Sequence, residues 1–294
     1  MTRVTQTGTR ATTAILPVVV ALCAVGCGLK QGYAPATVPV YTGQTDAAAA
    51  PAPAVADSLT VVSWNIQYAE SVDRALAELR ASPRLAAADV ILLQEMDREG
   101  VERIARGLGM DYVYGPAAVH PHHARLFGNA VLSRWPIVSH DVLVLPHNTP
   151  VTGHQRIAVA ADLDLGDGVV LRAISVHTAT MVVDQEKRVD QAAATLDSLG
   201  GAQPVVVAGD FNTVSDWEVT LLRRVARGAG FTHLRLPPGP TIANRYKKLP
   251  GSESVLDHVL VRGVAVDGGQ TCEARYLDEG ATDVMLDHAW VMCR

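Results

Sequence analysis

The chain contains little of what marks several common classes of protein. Aromatic residues make up 5% of its 294 residues, and 25 Lys and Arg face 30 Asp and Glu, for a formal net charge of −5. Proteins that bind nucleic acid mainly by electrostatic attraction have more Lys and Arg than Asp and Glu. The composition gives no sign of that mode of binding. With 48% hydrophobic residues, the chain can form one large globular domain.

Several active-site motifs are also missing. The sequence has no Gly-x-Ser-x-Gly elbow of serine hydrolases, no P-loop and no dinucleotide fingerprint. Its four cysteines show no zinc-binding spacing, and Cys23 and Cys27 lie in an N-terminal leader. Cys272 and Cys293 lie in the last two predicted strands. They could form a disulfide in an oxidising compartment, or remain two buried thiols.

The N-terminus resembles an export signal. Arg3 and Arg10 precede an apolar segment, residues 11–25, that is too short to span a membrane comfortably. The run Ala-Val-Gly-Cys that ends at Cys27 resembles a bacterial lipobox, although alanine stands where leucine is usual. We predict a lipoprotein signal peptide over residues 1–26 and a lipid anchor at Cys27; simple secretion and an uncleaved anchor are the alternatives. The expected location is extracytoplasmic, either membrane-anchored or secreted.

Two regions are expected after the signal. Residues 27–57 are rich in Ala, Pro and Thr and have few large apolar side chains, which predicts a disordered tether. The folded domain is expected over residues 58–294, as a monomer with no internal repeat. A helix is predicted over residues 216–227, with Asp216 as a possible N-cap.

One stretch combines a buried strand with polar residues. An apolar run over residues 205–208 ends in Gly209, Asp210, Phe211 and Asn212. A short apolar run bounded by turn residues predicts a buried strand, and polar residues at its end face solvent on a rigid scaffold. Gly-Asp and Asn are also common turn residues, so this stretch alone favours a plain turn.

The same pattern recurs at six strand ends. The residues are Asn65, Glu95, His177, Asp210, Asn212, Asp257, Asp287 and His288. Buried carboxylates and imidazoles are costly unless they are paired or bind a metal, so their repetition indicates a site. Carboxylates without cysteines favour a hard cation, Mg²⁺ or Mn²⁺. A further group, His120, His122 and His123, is better explained as an exposed surface loop than as a metal site.

The ordered motifs resemble the endonuclease/exonuclease/phosphatase superfamily, which has the DNase I-like fold. They are Ser63-Trp-Asn-Ile66, Leu93-Gln-Glu-Met96, Gly128-Asn-Ala-Val-Leu-Ser-Arg134, Ser175-Val-His177, Gly209-Asp-Phe-Asn212, Leu256-Asp-His258 and Asp287-His288. The resemblance spans residues 59–291. It implies an α/β fold of four layers, a two-sheet β-sandwich flanked by helices, with the site at one edge. The family usually has proline two residues after the last histidine, where this chain has Trp290.

The resemblance also implies roles at the matched positions. Glu95 would be the chief metal ligand, and Asn65 and Asp287 would belong to the same metal site. Asp210 would orient or deprotonate the attacking water, and Asn212 would hold a phosphoryl oxygen.

His288, oriented by Asp257, would contact the phosphate or act as acid and base, and His177 would be the second histidine of the site. Three more residues are expected to contact the substrate: Asn129, Arg156 and Arg188. No acidic partner for His177 is evident in residues 125–129, where nuclease-type members can supply one.

The expected function is therefore that of an exported, metal-dependent hydrolase of phosphate esters, more specifically a phosphodiesterase or nuclease. Its substrate could be nucleic acid, a phospholipid head group such as sphingomyelin, or an inositol phosphate. The alternative is a non-catalytic surface binding module that has kept the fold.

Overall fold

The computed structural model describes residues 33–44, 58–150, 152–180, 182–201, 203–236, 241, 255–264, 272–275 and 290–293. Its strands are β1 (Ala34–Pro35), β2 (Tyr41–Gly43), β3 (Val61–Asn65), β4 (Val90–Met96), β5 (Asp111–His120), β6 (Arg125–Ser133), β7 (Ile137–Val144), β8 (Ile157–Asp164), β9 (Val170–His177), β10 (Val205–Asp210), β11 (Thr232–His233), β12 (Asp257–Arg262), β13 (Cys272–Arg275) and β14 (Trp290–Cys293). Its helices are α1 (Val72–Ala81), α2 (Pro83–Ala86), α3 (Arg98–Leu108), α4 (Gln185–Asp197) and α5 (Asp216–Gly228), and a 3₁₀ turn covers Gln67–Ala69.

The strands form two sheets. The first has the order β1-β5-β6-β4-β3-β14-β13, with β2 also paired to β5, and the second has the order β11-β12-β10-β9-β8-β7. Two described pairs are parallel, β3 with β4 and β9 with β10, and the others are antiparallel. Parallel neighbours end at the same sheet edge, which brings the residues that follow them together.

Three separate cores give the sandwich four layers. Along β4, Ile91 packs with residues of α1 and α3, while Leu92 packs with residues of the second sheet. Successive side chains of a strand point to opposite faces, so a strand covered on both sides reads as a continuous apolar run. On β10, Val206 faces the first sheet, and Val207 packs with Leu222 of α5. The predicted fold class is confirmed.

The predicted tether over residues 27–57 is wrong for residues 33–44. Within them β1 pairs with residues 118–119 of β5, and β2 pairs with residues 112–114. An edge strand is held by backbone hydrogen bonds, so it needs few large apolar side chains, and composition alone misses it. The signal peptide and Cys27 lie outside the described residues. No helix within the described ranges is long and apolar enough to cross a membrane.

Two local predictions also meet the structure. The N-cap of α5 is Ser215, not Asp216, because its Oγ accepts a hydrogen bond from the backbone N–H of Glu218 at 3.3 Å. The antiparallel register of β13 and β14 places Cys272 directly opposite Cys293, which confirms that they lie in neighbouring strands. The disulfide between them stays a prediction.

Candidate active site

Strand ends from both sheets meet at one edge of the sandwich. In the first sheet Asn65 is the register partner of Gln94, so Glu95 follows immediately on the neighbouring parallel strand. In the second sheet Asp210 lies between His177 on β9 and Asp257 on β12. Residues that are far apart in sequence therefore become neighbours because their strands are neighbours.

A hydrogen bond joins the two halves of this edge. Asn65 Nδ2 donates to Asp210 Oδ2 at 3.1 Å, although the two residues belong to different sheets. The other oxygen, Asp210 Oδ1, accepts from the backbone N–H of Asn212 at 2.8 Å. Asn212 Nδ2 donates in turn to Thr178 O at 3.2 Å. Asp210 is 1% exposed, so these donors stabilise a carboxylate that water does not solvate.

Glu95 reaches this edge through an irregularity in its strand. The pairing of β4 with β6 shifts register between Leu93 and Met96, and Glu95 has φ +58°. Such a left-handed conformation costs on the order of 1–3 kcal/mol for a non-glycine residue, and it recurs at functional sites. Asn212 (φ +49°) and Tyr68 (φ +54°) share it. Glu95 Oε2 accepts from the backbone N–H of Tyr68 at 3.3 Å.

Two buried basic side chains, Arg156 and His177, contact each other at this edge. Arg156 Nη1 lies 2.9 Å from His177 Nδ1 and 2.8 Å from Nε2, and both side chains are buried. His177 Nε2 lies 3.6 Å from Asp210 Oδ2 and 3.8 Å from Glu95 Oε1. Burial lowers the pKa of Arg156, whereas the negative charges of Glu95 and Asp210 raise it. A guanidinium only donates hydrogen bonds and a neutral imidazole has one acceptor nitrogen, so only one of these two contacts is a hydrogen bond.

Two of the predicted substrate contacts, Asn129 and Arg188, make buried contacts within the protein. Asn129 Nδ2 donates to Ile157 O at 3.0 Å and to Ser175 O at 3.3 Å, so its amide links the two sheets. Arg188 is buried and forms an ion pair with Glu218 of α5. Its guanidinium otherwise contacts carbonyl oxygens of residues 180 and 183, which do not belong to the cluster. Arg156 alone of the three joins the site.

Two groups among the described residues have the chemistry to help bind a divalent cation. Asn65 Oδ1 is buried and has no hydrogen-bond partner among them, although a hard cation would satisfy such an oxygen. Glu95 provides a carboxylate at the same edge. Asp287 and His288, the predicted third ligand and the phosphate-contacting histidine, lie outside the described residues. Without them, no group of three or more His, Cys, Asp or Glu with metal-binding geometry occurs in the described part of the chain.

The histidine group at the end of β5 matches its prediction only in part. Residues 121–124 form a turn in which His122 is exposed, but His120 is buried at the end of the strand. Its Nδ1 is 3.2 Å from the backbone N of His122, and burial lowers the pKa of His120 to about 4. Two rings that sequence reasoning missed lie nearby: Tyr33 packs against His120, and His154 stacks on Tyr33. Their partners lie far along the chain, so no local pattern marks them.

Known proteins share both the sequence pattern and the architecture. The 30% identity to YbhP of Escherichia coli K12 extends over 161 residues, which are 48% of this chain and 59% of YbhP. The chain thus spans about three-fifths of that relative's length.

Two solved structures share the fold. One is an endonuclease/exonuclease/phosphatase from Beutenbergia cavernae, with a TM-score of 0.61 and 21% identity over 80% of this chain and 70% of that one. The other is sphingomyelinase C from Streptomyces griseocarneus, with a TM-score of 0.60 and 16% identity over 81% and 99%. The sequence model of the Endonuclease/Exonuclease/phosphatase family matches residues 62–274. The chain belongs to that family.

Proposed function

We propose that this protein is an exported, metal-dependent phosphoric ester hydrolase that acts on phosphodiesters. One observation carries the proposal: the Asn65–Asp210 hydrogen bond, which gathers residues of both sheets at one edge. The left-handed backbone of Glu95 and Asn212 supports it, because strain of this kind persists where a function requires the geometry.

Hydrolysis of a phosphate ester needs an oriented water, neutralised phosphoryl oxygens and a proton for the departing ester oxygen. Asp210 is the group we assign to the water, since its buried carboxylate can accept a proton while the oxygen of water bonds to phosphorus. Arg156 would neutralise charge on the phosphoryl oxygens, and Asn212 would hold one of them by a hydrogen bond. His288, which the family resemblance pairs with Asp257, would return a proton to the oxygen that leaves.

Asn65 and Glu95, together with Asp287, would hold Mg²⁺ or Mn²⁺. A bound cation supplies positive charge against the phosphate, which the acidic side chains would otherwise repel. Asp210 lies between the strand that carries His177 and the strand that carries Asp257. Arg156 contacts His177, so basic groups lie on the side of Asp210 that is opposite Asp257.

The substrate class follows from less specific observations. The family includes nucleases and phosphatases by its description, and sphingomyelinase C shares the fold. The proposed substrates are therefore nucleic acid, a phospholipid head group and an inositol phosphate. The lipobox-like run before Cys27 supports an extracytoplasmic location, where a lipid anchor would keep the site near head groups.

The test is hydrolysis of bis-p-nitrophenyl phosphate with Mg²⁺ or Mn²⁺, with and without a chelator. Asp210→Asn keeps the shape of the side chain but removes its charge, and we expect kcat to fall by roughly 10²- to 10⁴-fold. We expect His288→Ala to lower kcat by a comparable factor. Asp216→Asn, the same change at an exposed carboxylate, is the matched control.

Equal activity in wild type, Asp210→Asn and His288→Ala would contradict the proposal and favour a binding module. If the wild type is active, a panel of plasmid DNA, RNA, sphingomyelin and inositol phosphates then identifies the substrate class.

A further inference from the structure

The segment 33–44 lies outside the part of the chain that matches the family, residues 62–274, yet it reaches the candidate active site. It is fastened to β5 at two places. β1 pairs with residues 118–119, and Tyr41 on β2 stacks on Tyr114 with ring centroids 6.2 Å apart. The guanidinium of Arg98 lies over the ring of Tyr41, 4.4 Å from its centroid. These anchors fix the position of Tyr33, which directly precedes β1.

Three side chains hold Tyr33. Its ring stacks on His154 with centroids 3.9 Å apart and an interplanar angle of 14°. It meets His120 edge to face at 4.7 Å. Its ring also lies 6.1 Å from that of Phe127, which in turn lies 6.3 Å from the ring of His177. A half-buried tyrosine with this many fixed contacts presents its hydroxyl in a defined direction.

A second tyrosine, Tyr68, joins this cluster and touches the candidate site. Its ring lies 4.6 Å from that of His120 and 5.4 Å from that of Phe127. Its backbone N–H donates to Glu95 Oε2 at 3.3 Å. Burial is the main cause that raises the pKa of Tyr33, so its phenol stays protonated near neutral pH and remains a neutral donor.

A phenol hydroxyl carries one proton that it can donate in a hydrogen bond. The Tyr33 hydroxyl can therefore donate to an acceptor bound beside Arg156 and His177. A phosphoryl oxygen is the acceptor that the proposed function brings to this place, and a neutral donor bonds strongly to a charged oxygen.

We propose that Tyr33 is a substrate-contacting residue of this active site, supplied by the N-terminal segment, and that its hydroxyl binds the phosphate group. The inference rests on the proposed function, because that function places a phosphate beside Arg156. It adds to the site a residue that the family-matched part of the chain does not contain.

The test compares the wild type with Tyr33→Phe, which keeps the ring and its stacking on His154 but removes the hydroxyl. Calorimetry measures the Kd for inorganic phosphate in the presence of Mn²⁺, and kinetics measure KM and kcat for bis-p-nitrophenyl phosphate. We expect Tyr33→Phe to weaken phosphate binding about tenfold and to raise KM, with the melting temperature little changed. Tyr112→Phe, which removes a hydroxyl bonded to Glu102, is the matched control and should bind like the wild type.

Equal phosphate affinity in Tyr33→Phe and Tyr112→Phe would overturn the inference, as would a wild type that does not bind phosphate. If Tyr33→Phe alone binds phosphate weakly while no protein hydrolyses the ester, the phosphate contact stands and the proposed hydrolase does not. If hydrolysis is normal in every variant with equal affinities, only the contact fails.

Discussion

Gly209 lies where β10 runs closest to β9, one residue before Asp210. A Cβ placed on it would meet Val176 O at 1.9 Å, which no side chain can occupy. The absent side chain therefore allows the parallel pairing that places Asp210 beside His177. At the scale of single residues, this glycine supports the site without touching substrate.

We predict that Gly209→Ala pushes β10 away from β9 and displaces Asp210. The free energy of unfolding should fall by about 1–3 kcal/mol, as in overpacked cores, and kcat should fall by more than the loss of folded protein explains. Gly200→Ala is the control, since a Cβ there meets nothing within 4 Å. Thermal melts and initial rates measure both effects; a variant with wild-type melting temperature and kcat would contradict the role assigned to Gly209.

Single residues were predictable from the sequence where a strand end marked them. Asn65, Glu95, His177 and Asp210 follow apolar runs, so pattern and family resemblance both placed them. Arg188 follows no such rule, because its partner Glu218 is on another helix. The cap at Ser215 was in principle readable, since Ser-x-x-Glu is a capping box.

At the scale of elements, α4 and α5 are joined by the buried ion pair between Arg188 and Glu218. The same carboxylate accepts from the backbone N–H of Val214 at 2.9 Å and from Ser215 Oγ at 3.2 Å. Glu218 therefore fixes both the start of α5 and its contact with α4.

We predict that Glu218→Gln lowers the free energy of unfolding by about 3–5 kcal/mol, because it leaves the Arg188 guanidinium buried without a counter-charge. Glu102→Gln, at the exposed pair with Arg98, should lower it by less than about 1 kcal/mol. Urea denaturation measures both changes. Similar small effects would show that the buried pair contributes no more than the exposed one.

Elements were predictable to the extent that burial shaped their sequence. Strands covered on both faces, such as β4 and β10, are continuous apolar runs, and the prediction placed them correctly. The two strands within residues 33–44 escaped because their backbone groups, rather than their side chains, fasten them to β5. Pairing through the backbone of an edge strand produces no periodic pattern in the sequence.

The whole molecule holds several imidazoles in its interior in neutral form. Burial lowers the pKa of His154 to about 2 and that of His233 to about 4, and it places the pKa of His258 well below its usual value. His233 Nε2 lies 2.9 Å from His258 Nδ1, and His258 Nε2 lies 2.7 Å from Thr213 Oγ1. Protonation of His258 Nδ1 would remove the acceptor of the contact with His233, and protonation of His233 Nδ1 would remove the acceptor of Arg223 Nε.

We predict that the free energy of unfolding decreases as the pH falls from about 6.5 to about 4. Over this range the histidines of the unfolded chain bind protons, whereas the buried native imidazoles do not. Each such histidine contributes at most about 1.4 kcal/mol per pH unit. His233→Gln should flatten this dependence, and His122→Gln, at an exposed ring, should leave it as in the wild type. Urea denaturation at several pH values measures it; the same slope in His233→Gln would refute the assignment.

The amide of Asn129 connects the two sheets close to the edge where each contributes half of the site. Gln94 makes a second such connection, since its Nε2 lies 3.0 Å from Ser175 Oγ. The proposed metal ligands Asn65 and Glu95 lie on one sheet and the proposed water-activating Asp210 lies on the other. A small slide of one sheet over the other would therefore change all the distances between them at once. These two buried amides keep the sheets in register with each other. A shear between the sheets could therefore disrupt the geometry of the site long before either sheet unfolds.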